Sequence, residues 1–459
     1  MSEGTLNLRV ASACSGAATE HWIFGAIQEA FAAKGLPVTF THVFVCELKP
    51  MKREFLANVL IATASDCCIF ADVRGLVEGR CDCDRHGRMC VVKDFDIWTS
   101  GFSCTSVSKQ NMKISRRDQS ALLGKRESTA ATVQTFYGTL DMCTKYKPPF
   151  VFLENVDALK DEGPGEQSNA DTIIDHFANI SYNMSCFRMS AIDYGLPQAR
   201  LRLKFVGISH QSTLLGSPGD ALPTSMTELL LSWRCKAPSL TSVLLDNDSD
   251  EVQNELTKRS MADCTASLPA EQGWPAVHEA YYASHHARWL SLKPKVATQK
   301  SPWYPLLSVR QQQILLIQQH QLGLNCGHDL SQSIGRIPTT SVVDAKLGLV
   351  AAPTILPQMQ LWIGFDRHRV MIGREAMSCQ GYPWQKVGGL EKYTEAFLHD
   401  LAGNAFPAPS FLAVILAALL TAPWTSRREV AENQVVQDCR ATPSSHQLTR
   451  CVLLRLTIV

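Results

Sequence analysis

No stretch of this sequence reaches the roughly 20 consecutive apolar residues that a membrane-spanning helix requires. The most apolar run, "FLAVILAALL" from Phe411 to Leu420, is far shorter and is flanked by Pro409 and Pro423. It is expected to be a buried helix, and no membrane partner is expected. An excess of one charge sign is also missing: 44 Lys and Arg against 43 Asp and Glu leave a formal net charge of +1. The field of the whole molecule therefore gives a polyanion little steering, and such a partner must be met by local basic patches. The start "MSEGTLNLRV" lacks the charged head and apolar run of a signal peptide, and the sixteen cysteines follow no regular spacing. Disulfides are therefore not expected. Reduced thiols are, in the nucleus if the source is eukaryotic and otherwise in the cytoplasm. No internal repeat is visible.

What is present is 459 residues, 45% of them hydrophobic, enough for two or three domains or one large domain carrying an insertion. The first two hundred residues alternate two kinds of piece. "LNLRVASAC" reads as a strand, and the small-residue loop "SGAAT" leads from it into the amphipathic helix "EHWIFGAIQEAFAAKG". "VTFTHVFVCEL", "CIFADV", "DFDIWTS" and "FVFLENV" read as further strands, and "KREFLANVLIATA", "TVQTFYGTLDMCTKY" and "ADTIIDHFANI" as helices. Strands separated by helices call for an α/β fold with a mostly parallel sheet covered on both faces, binding its ligand at the carboxyl ends of the strands. The expected organisation is a first part over 1–209, a different region over 210–363, a return of the ordered pattern over 364–424 and a loosely ordered polar tail over 425–459. The Gln-rich "SVRQQQILLIQQHQLG" is expected to be a surface helix of the middle region.

Three clusters could carry chemistry, and each has a bland alternative. Cys104 stands in the Gly-containing loop "GFSCTSVSKQN", yet a cysteine taken alone is more often a small core hydrophobe than a nucleophile. Glu154 and Asn155 follow an apolar strand, where a carboxyl group short of solvent can share a proton with a heteroaromatic substrate; a helix cap with an exposed Glu would read the same. Arg200 and Arg202 are two apart, so an extended strand would point both, with Gln198, to one face, suited to a phosphate or a carbonyl oxygen or simply solvated.

Taken in order, the loop Cys, Glu-Asn-Val and Gln-x-Arg-x-Arg resemble motifs of the cytosine-5 DNA methyltransferases, which move a methyl group from S-adenosylmethionine to carbon 5 of cytosine. "SACSGAATEHW" looks like that family's Gly-rich cofactor loop, which puts Cys14, Ser15 and Gly16 beside the cofactor. "VCELKPMKREFLANV" is similar to the second motif, with Glu47 where the family's acid holds the ribose hydroxyls, and "FADV" to the third, with Asp72 and Val73 beside the adenine. Gly101 stands where the family has its loop glycine; "RHRVMIGREAMSCQGYP" resembles the ninth motif and "LAGNAF" the tenth, with Asn404 and Ala405 on the cofactor side. The resemblance covers about residues 8–209 and 364–420.

It implies a Rossmann-like methyltransferase fold interrupted by a target-recognition region. It further implies Cys104 as the nucleophile that adds to carbon 6, Glu154 as the group that engages ring N3, Asn155 as an orienting residue, and Arg200 or Arg202 on the base carbonyl or a phosphate. Those ring atoms are shielded in a stacked duplex, so the base must be flipped out. Double-stranded DNA is the expected partner; RNA is the lesser expectation, because no linker signature of the tRNA-modifying branch precedes the recognition region. Protein partners are not legible.

The sequence departs from the family pattern at three places. Ser103-Cys104-Thr105 replaces Pro-Cys-Gln, Ala17, Ala18 and Thr19 stand where glycines are usual, and Phe406 replaces a smaller aliphatic residue. A Ser in place of Pro is expected to loosen the loop ahead of the thiol. No metal ligand is expected: Cys81, Cys83, His86 and Cys90 in "CDCDRHGRMC" have irregular spacing and read as an exposed loop. Arg288, Lys293, Lys295 and Lys300, interleaved with Trp289 and Trp303, form the strip expected to meet phosphates or to be simply solvated.

Overall fold

The computed structural model describes residues 5–60, 64, 66–108, 122–162, 167–215, 222–261, 273–284, 296–322, 327–331, 343–344, 349–364 and 367–424. The tail over 425–459, and Arg288, Trp289, Lys293 and Lys295 of the expected phosphate strip, lie outside the described residues.

Strand β1 (Leu6–Ala13) pairs in parallel with β2 (Val38–Cys46) on one side and with β6 (Ile97–Ser100) on the other. Outward from β2 come β3 (Cys68–Phe70), β4 (Arg80–Cys83) and β5 (Arg88–Val91). Outward from β6 come β7 (Phe150–Val156), parallel to it, then β10 (Leu201–Ser209), antiparallel to both of its neighbours, and β8 (Tyr182–Ser190) at the edge. The result is one nine-stranded sheet in which the direction of strand addition reverses beside β1; the short β9 (Gln198–Ala199) lies outside it, paired in parallel with Ala352–Pro353. Such a switch point opens a crevice at the carboxyl ends of the parallel strands, where α/β sheets bind their ligands.

Side-chain alternation divides the strands between two apolar layers. Val10, Ile97, Phe150, Phe152, Val206 and Ile208 pack on one face with Phe411 and its neighbours in helix Ala408–Thr421. Ala11, Trp98, Val151, Leu153, Leu203 and Phe205 pack on the other, with Phe136 of the helix Ala131–Tyr146. The helices between strands are α1 (Thr19–Ala32), α2 (Pro50–Leu60), α3 (Ala131–Tyr146) and α4 (Asn169–Asn179). The helix Ala408–Thr421 is buried along almost its whole length, as its apolar sequence requires.

Within the middle region, Leu222, Met226 and Leu230 join the first of these layers, while Trp303, Ile314, Leu315 and Trp362 form a smaller cluster of their own. The Gln-rich helix Val309–Leu322 is not the expected surface helix. Gln318 and Gln319 are buried, their Nε2 atoms donating to the Asp329 carbonyl (3.1 Å) and to Thr298 Oγ1 (3.0 Å), so these side chains are turned into the protein. Residues 81–90 differ as well. They are no exposed loop but an antiparallel hairpin in which Arg80 pairs with Val91 and Cys83 with Arg88, at the far edge of the main sheet.

Candidate active site

The loop after β1 turns sharply. Cys14, Gly16 and Ala18 all take left-handed backbone angles, with φ of 54°, 50° and 56°. Gly16 meets this at little cost, whereas Cys14 and Ala18 bear about 1–2 kcal/mol each. The turn is held from behind: Ser12 Oγ lies 2.6 Å from Ser15 Oγ and donates to Glu20 Oε1 at 2.7 Å. Glu20 is fully buried, and desolvation pushes its carboxyl up to about 7, with the Ser12 bond pulling the other way. Desolvation likewise pushes the Cys14 thiol up to about 12, so Cys14 is a neutral packing group and offers the crevice its backbone.

Glu47, just past β2, closes this corner. Its carboxylate accepts from the amides of Gly16 and Lys49, both at 3.1 Å, while its own amide donates to Phe70 at the end of β3. Asp72 caps the short helix that begins at Val73, accepting from the Arg74 amide, and the Arg74 guanidinium beside it lowers its pKa. The carbonyl of Asn404 faces Gly16, where an added Cβ would lie 3.9 Å away. Gly101 sits under the Phe406 ring so closely that a Cβ would lie 2.8 Å from Cε1. Cys14, Ser15, Gly16, Glu47, Asp72, Val73, Gly101, Asn404 and Ala405 thus come from the segments that follow β1, β2, β3 and β6 and from the junction of the two C-terminal helices.

Cys104 lies on the loop after β6. Asn155 holds this loop, donating from Nδ2 to the Phe102 carbonyl at 2.9 Å. Helix α3 holds it a second time, since the Ser103 amide donates to Thr135 Oγ1 (3.0 Å) and the Ser106 amide to Thr132 Oγ1 (3.1 Å). The expected loosening at Ser103 is therefore offset: a proline there has no N–H, and Ser103 uses its N–H to tie the loop to α3. Desolvation raises the Cys104 pKa; Arg202 lowers it, Glu154 raises it and Arg200 lowers it again.

Glu154, near the carboxyl end of β7, is 7% exposed, with Oε1 3.6 Å from Arg202 Nε and without a hydrogen-bond partner among the described residues. The two arginines separate. β10 starts only at Leu201, so Arg200 lies at the break before it and the two do not share a strand face. Arg200 turns into the protein and donates to the carbonyls of Ile355 (3.0 Å), Gly403 (3.2 Å) and Ala405 (3.1 Å). Gln198 does the same work, donating to the Cys379 carbonyl (2.9 Å) and accepting from the Ile355 amide (2.9 Å). Both staple the segment before β10 to the C-terminal part of the chain, and Arg202 is the one of the two arginines that pairs with Glu154. A residue the sequence reading passed over stands beside it. Lys204, two residues on and on the same face, is fully buried and paired in register with Glu154; burial lowers its pKa to about 8. The pattern Arg-x-Lys opposite a strand-ending Glu was the available signal.

The Cys104 loop, Glu154 and Arg202 thus come together at strand ends of an α/β sheet. The description C-5 cytosine-specific DNA methylase belongs to a family model that matches residues 82–418. The chain belongs to that family. It is 26% identical over 443 residues to the DNA (cytosine-5-)-methyltransferase DMT5 of Cryptococcus neoformans, covering 90% of this chain and 17% of that protein. It is 27% identical over 114 residues to the type II methyltransferase M.DdeI of Desulfomicrobium norvegicum, covering 24% of this chain and 28% of that one. The chain thus spans only a fraction of the length of these curated relatives. Among solved structures, the Dnmt2 methyltransferase of S. pombe is 12% identical with a TM-score of 0.41, covering 90% of this chain and 98% of that one.

Proposed function

We propose that this chain methylates carbon 5 of cytosine in double-stranded DNA through a covalent adduct on Cys104, with S-adenosylmethionine as the methyl donor. The observation that carries this reading is the meeting of Cys104, Glu154 and Arg202 at the ends of β6, β7 and β10.

The crevice fits the donor in its polar groups. Glu47 at the end of β2 and Asp72 after β3 are acids placed for hydroxyl and amine donors, and Gly16 leaves the loop backbone open. S-adenosylmethionine, when bound, supplies an electrophilic methyl group on a sulfonium. Everything else is asked of the protein's own side chains. Carbon 5 of cytosine is a weak nucleophile until a thiolate adds at carbon 6, so Cys104 Sγ gives up its proton to solvent and forms the Sγ–C6 bond as the carbon 5–carbon 6 double bond opens. Electron density then builds at N3 and carbon 5, and Glu154, in its protonated form, would donate a hydrogen bond or its proton to N3; its Oε1 has no hydrogen-bond partner among the described residues. Arg202 favours the thiolate and can donate to the base carbonyl. After methylation, loss of the carbon-5 proton to solvent returns the electron pair that expels Cys104 Sγ.

A flipped base is needed for this geometry, because carbon 6 is covered in a stacked duplex. Comparing methyl transfer by the purified chain to cytosine-containing duplex DNA and to tRNA tests the substrate. Transfer to DNA supports the reading, and transfer confined to tRNA overturns its choice of polymer.

A further inference from the structure

Four ligand-type side chains meet away from the active site. Cys68 begins β3, Cys83 ends β4, His86 lies in the hairpin turn and Cys90 lies on β5. Their ligand atoms all fall within 4.8 Å of one another. The three sulfurs surround a single nitrogen: His86 Nδ1 is 3.6 Å from Cys68 Sγ, 3.2 Å from Cys83 Sγ and 3.4 Å from Cys90 Sγ. One ring nitrogen cannot serve three thiols as a hydrogen-bond partner. It can share a cation with them. Tetrahedral zinc bonded to sulfur at about 2.3 Å and to nitrogen at about 2.05 Å sets each S···N edge at about 3.6 Å, and the observed edges lie close to that value.

We propose that Cys68, Cys83, His86 and Cys90 form a structural zinc site that fastens the hairpin β4–β5 to the main sheet. The set is closed, three thiolates and one imidazole, as structural zinc sites are, and leaves no position for a substrate. A supporting contact is present as well, since the Ile69 amide donates to Cys83 Sγ at 3.3 Å, the kind of bond that orients and stabilises a metal-bound thiolate. Cys81, next to the set in sequence, is outside it and donates instead to the Gly75 carbonyl.

The hairpin has a need for such a fastening. Each of its strands has four residues, it joins β3 through a single register pair, Phe70 with Cys83, and Met89 and Val91 on its outer strand are exposed. A two-stranded ribbon of this size is marginal in water by itself. Binding zinc would release the protons of the three thiols and convert binding free energy into folding free energy for this edge.

Elemental analysis of the untagged full chain, purified with reductant and without chelator, tests the site. One equivalent of zinc is expected in the native chain and in Cys81→Ser, and none in Cys90→Ser or His86→Ala. Loading with cobalt should give thiolate-to-cobalt charge-transfer bands and tetrahedral d–d bands that both ligand variants lose. Because a ligand variant could fail to fold, alkylation of the native chain mapped by mass spectrometry supplies a second reading: Cys83 and Cys90 should be protected until a chelator is added. Absence of zinc and of the cobalt bands from the native chain, or metal that persists in both ligand variants, or Cys83 and Cys90 labelling equally with and without chelator, would each overturn the proposal.

Discussion

Lys204 lies directly across the β7–β10 ladder from Glu154, and Arg202 approaches the same carboxylate to 3.6 Å. Two cations and one carboxylate are thus gathered where water is scarce, next to a thiol that must ionise.

The buried ammonium of Lys204 should be visible in stability against pH. Its pKa falls from 10.5 to about 8 in the folded chain, so between those values the unfolded state holds a proton that the folded state does not. Stability then rises with pH, by about 3 kcal/mol across that window. Lys204→Met should flatten that rise in denaturant titrations from pH 7.5 to 10.5, and an unchanged slope would count against a buried, desolvated lysine.

Glu20 makes the opposite prediction at lower pH. Its carboxyl is raised from 4.5 to about 7, so the folded state holds the extra proton and stability falls as pH rises between those values, by about 3 kcal/mol. Glu20→Gln should remove this loss, and thermal melts at pH 5 and pH 8 measure it.

Arg202 is expected to tune the nucleophile. It is the largest influence holding the Cys104 pKa down against burial. Arg202→Met should move the rising, acid-side limb of the methyl-transfer pH profile to higher pH as well as lower its plateau. A mutant with a lower plateau and an unshifted limb would confine Arg202 to base contact.

Thr135 is expected to stiffen the nucleophile loop in place of a proline. Thr135→Val leaves the Ser103 amide without its 3.0 Å acceptor, an unmade bond worth about 1–3 kcal/mol where it is buried. We expect a lower kcat with cofactor affinity unchanged, and partial recovery in Ser103→Pro/Thr135→Val, which removes the stranded donor. Equal loss in the single and double variants would show that the bond does not matter.

Gly101 and Phe406 should be coupled. A methyl at Gly101 would overlap the Phe406 ring, which is itself stacked on Phe411 at 4.3 Å and has little room to yield. Gly101→Ala should cost about 1–3 kcal/mol, with much of it regained in Gly101→Ala/Phe406→Leu. A double-mutant cycle by chemical denaturation gives the coupling, and strict additivity would contradict the contact.

Much of this site was legible because its residues follow apolar runs that end abruptly. "FVFLENV" is β7 over its full length, so Glu154 and Asn155 lie inside its carboxyl-terminal part rather than after it. Arg200 was misread because two-residue periodicity holds only inside a strand, and β10 begins one residue later, leaving Arg200 to bind carbonyls as distant as Ala405. The thiol–imidazole cluster was missed for a different reason. Its fourth member, Cys68, comes from β3 through tertiary contact, so spacing within "CDCDRHGRMC" pointed to Cys81 instead.

The most direct test of the central claim is covalent trapping on duplex DNA containing 5-fluorocytosine, where loss of the carbon-5 proton is blocked and the adduct persists. With S-adenosylmethionine present, the native chain should form a complex that survives denaturation, and Cys104→Ser should form none. An adduct retained by Cys104→Ser, or no adduct with the native chain under conditions where it methylates DNA, would contradict nucleophilic attack by Cys104.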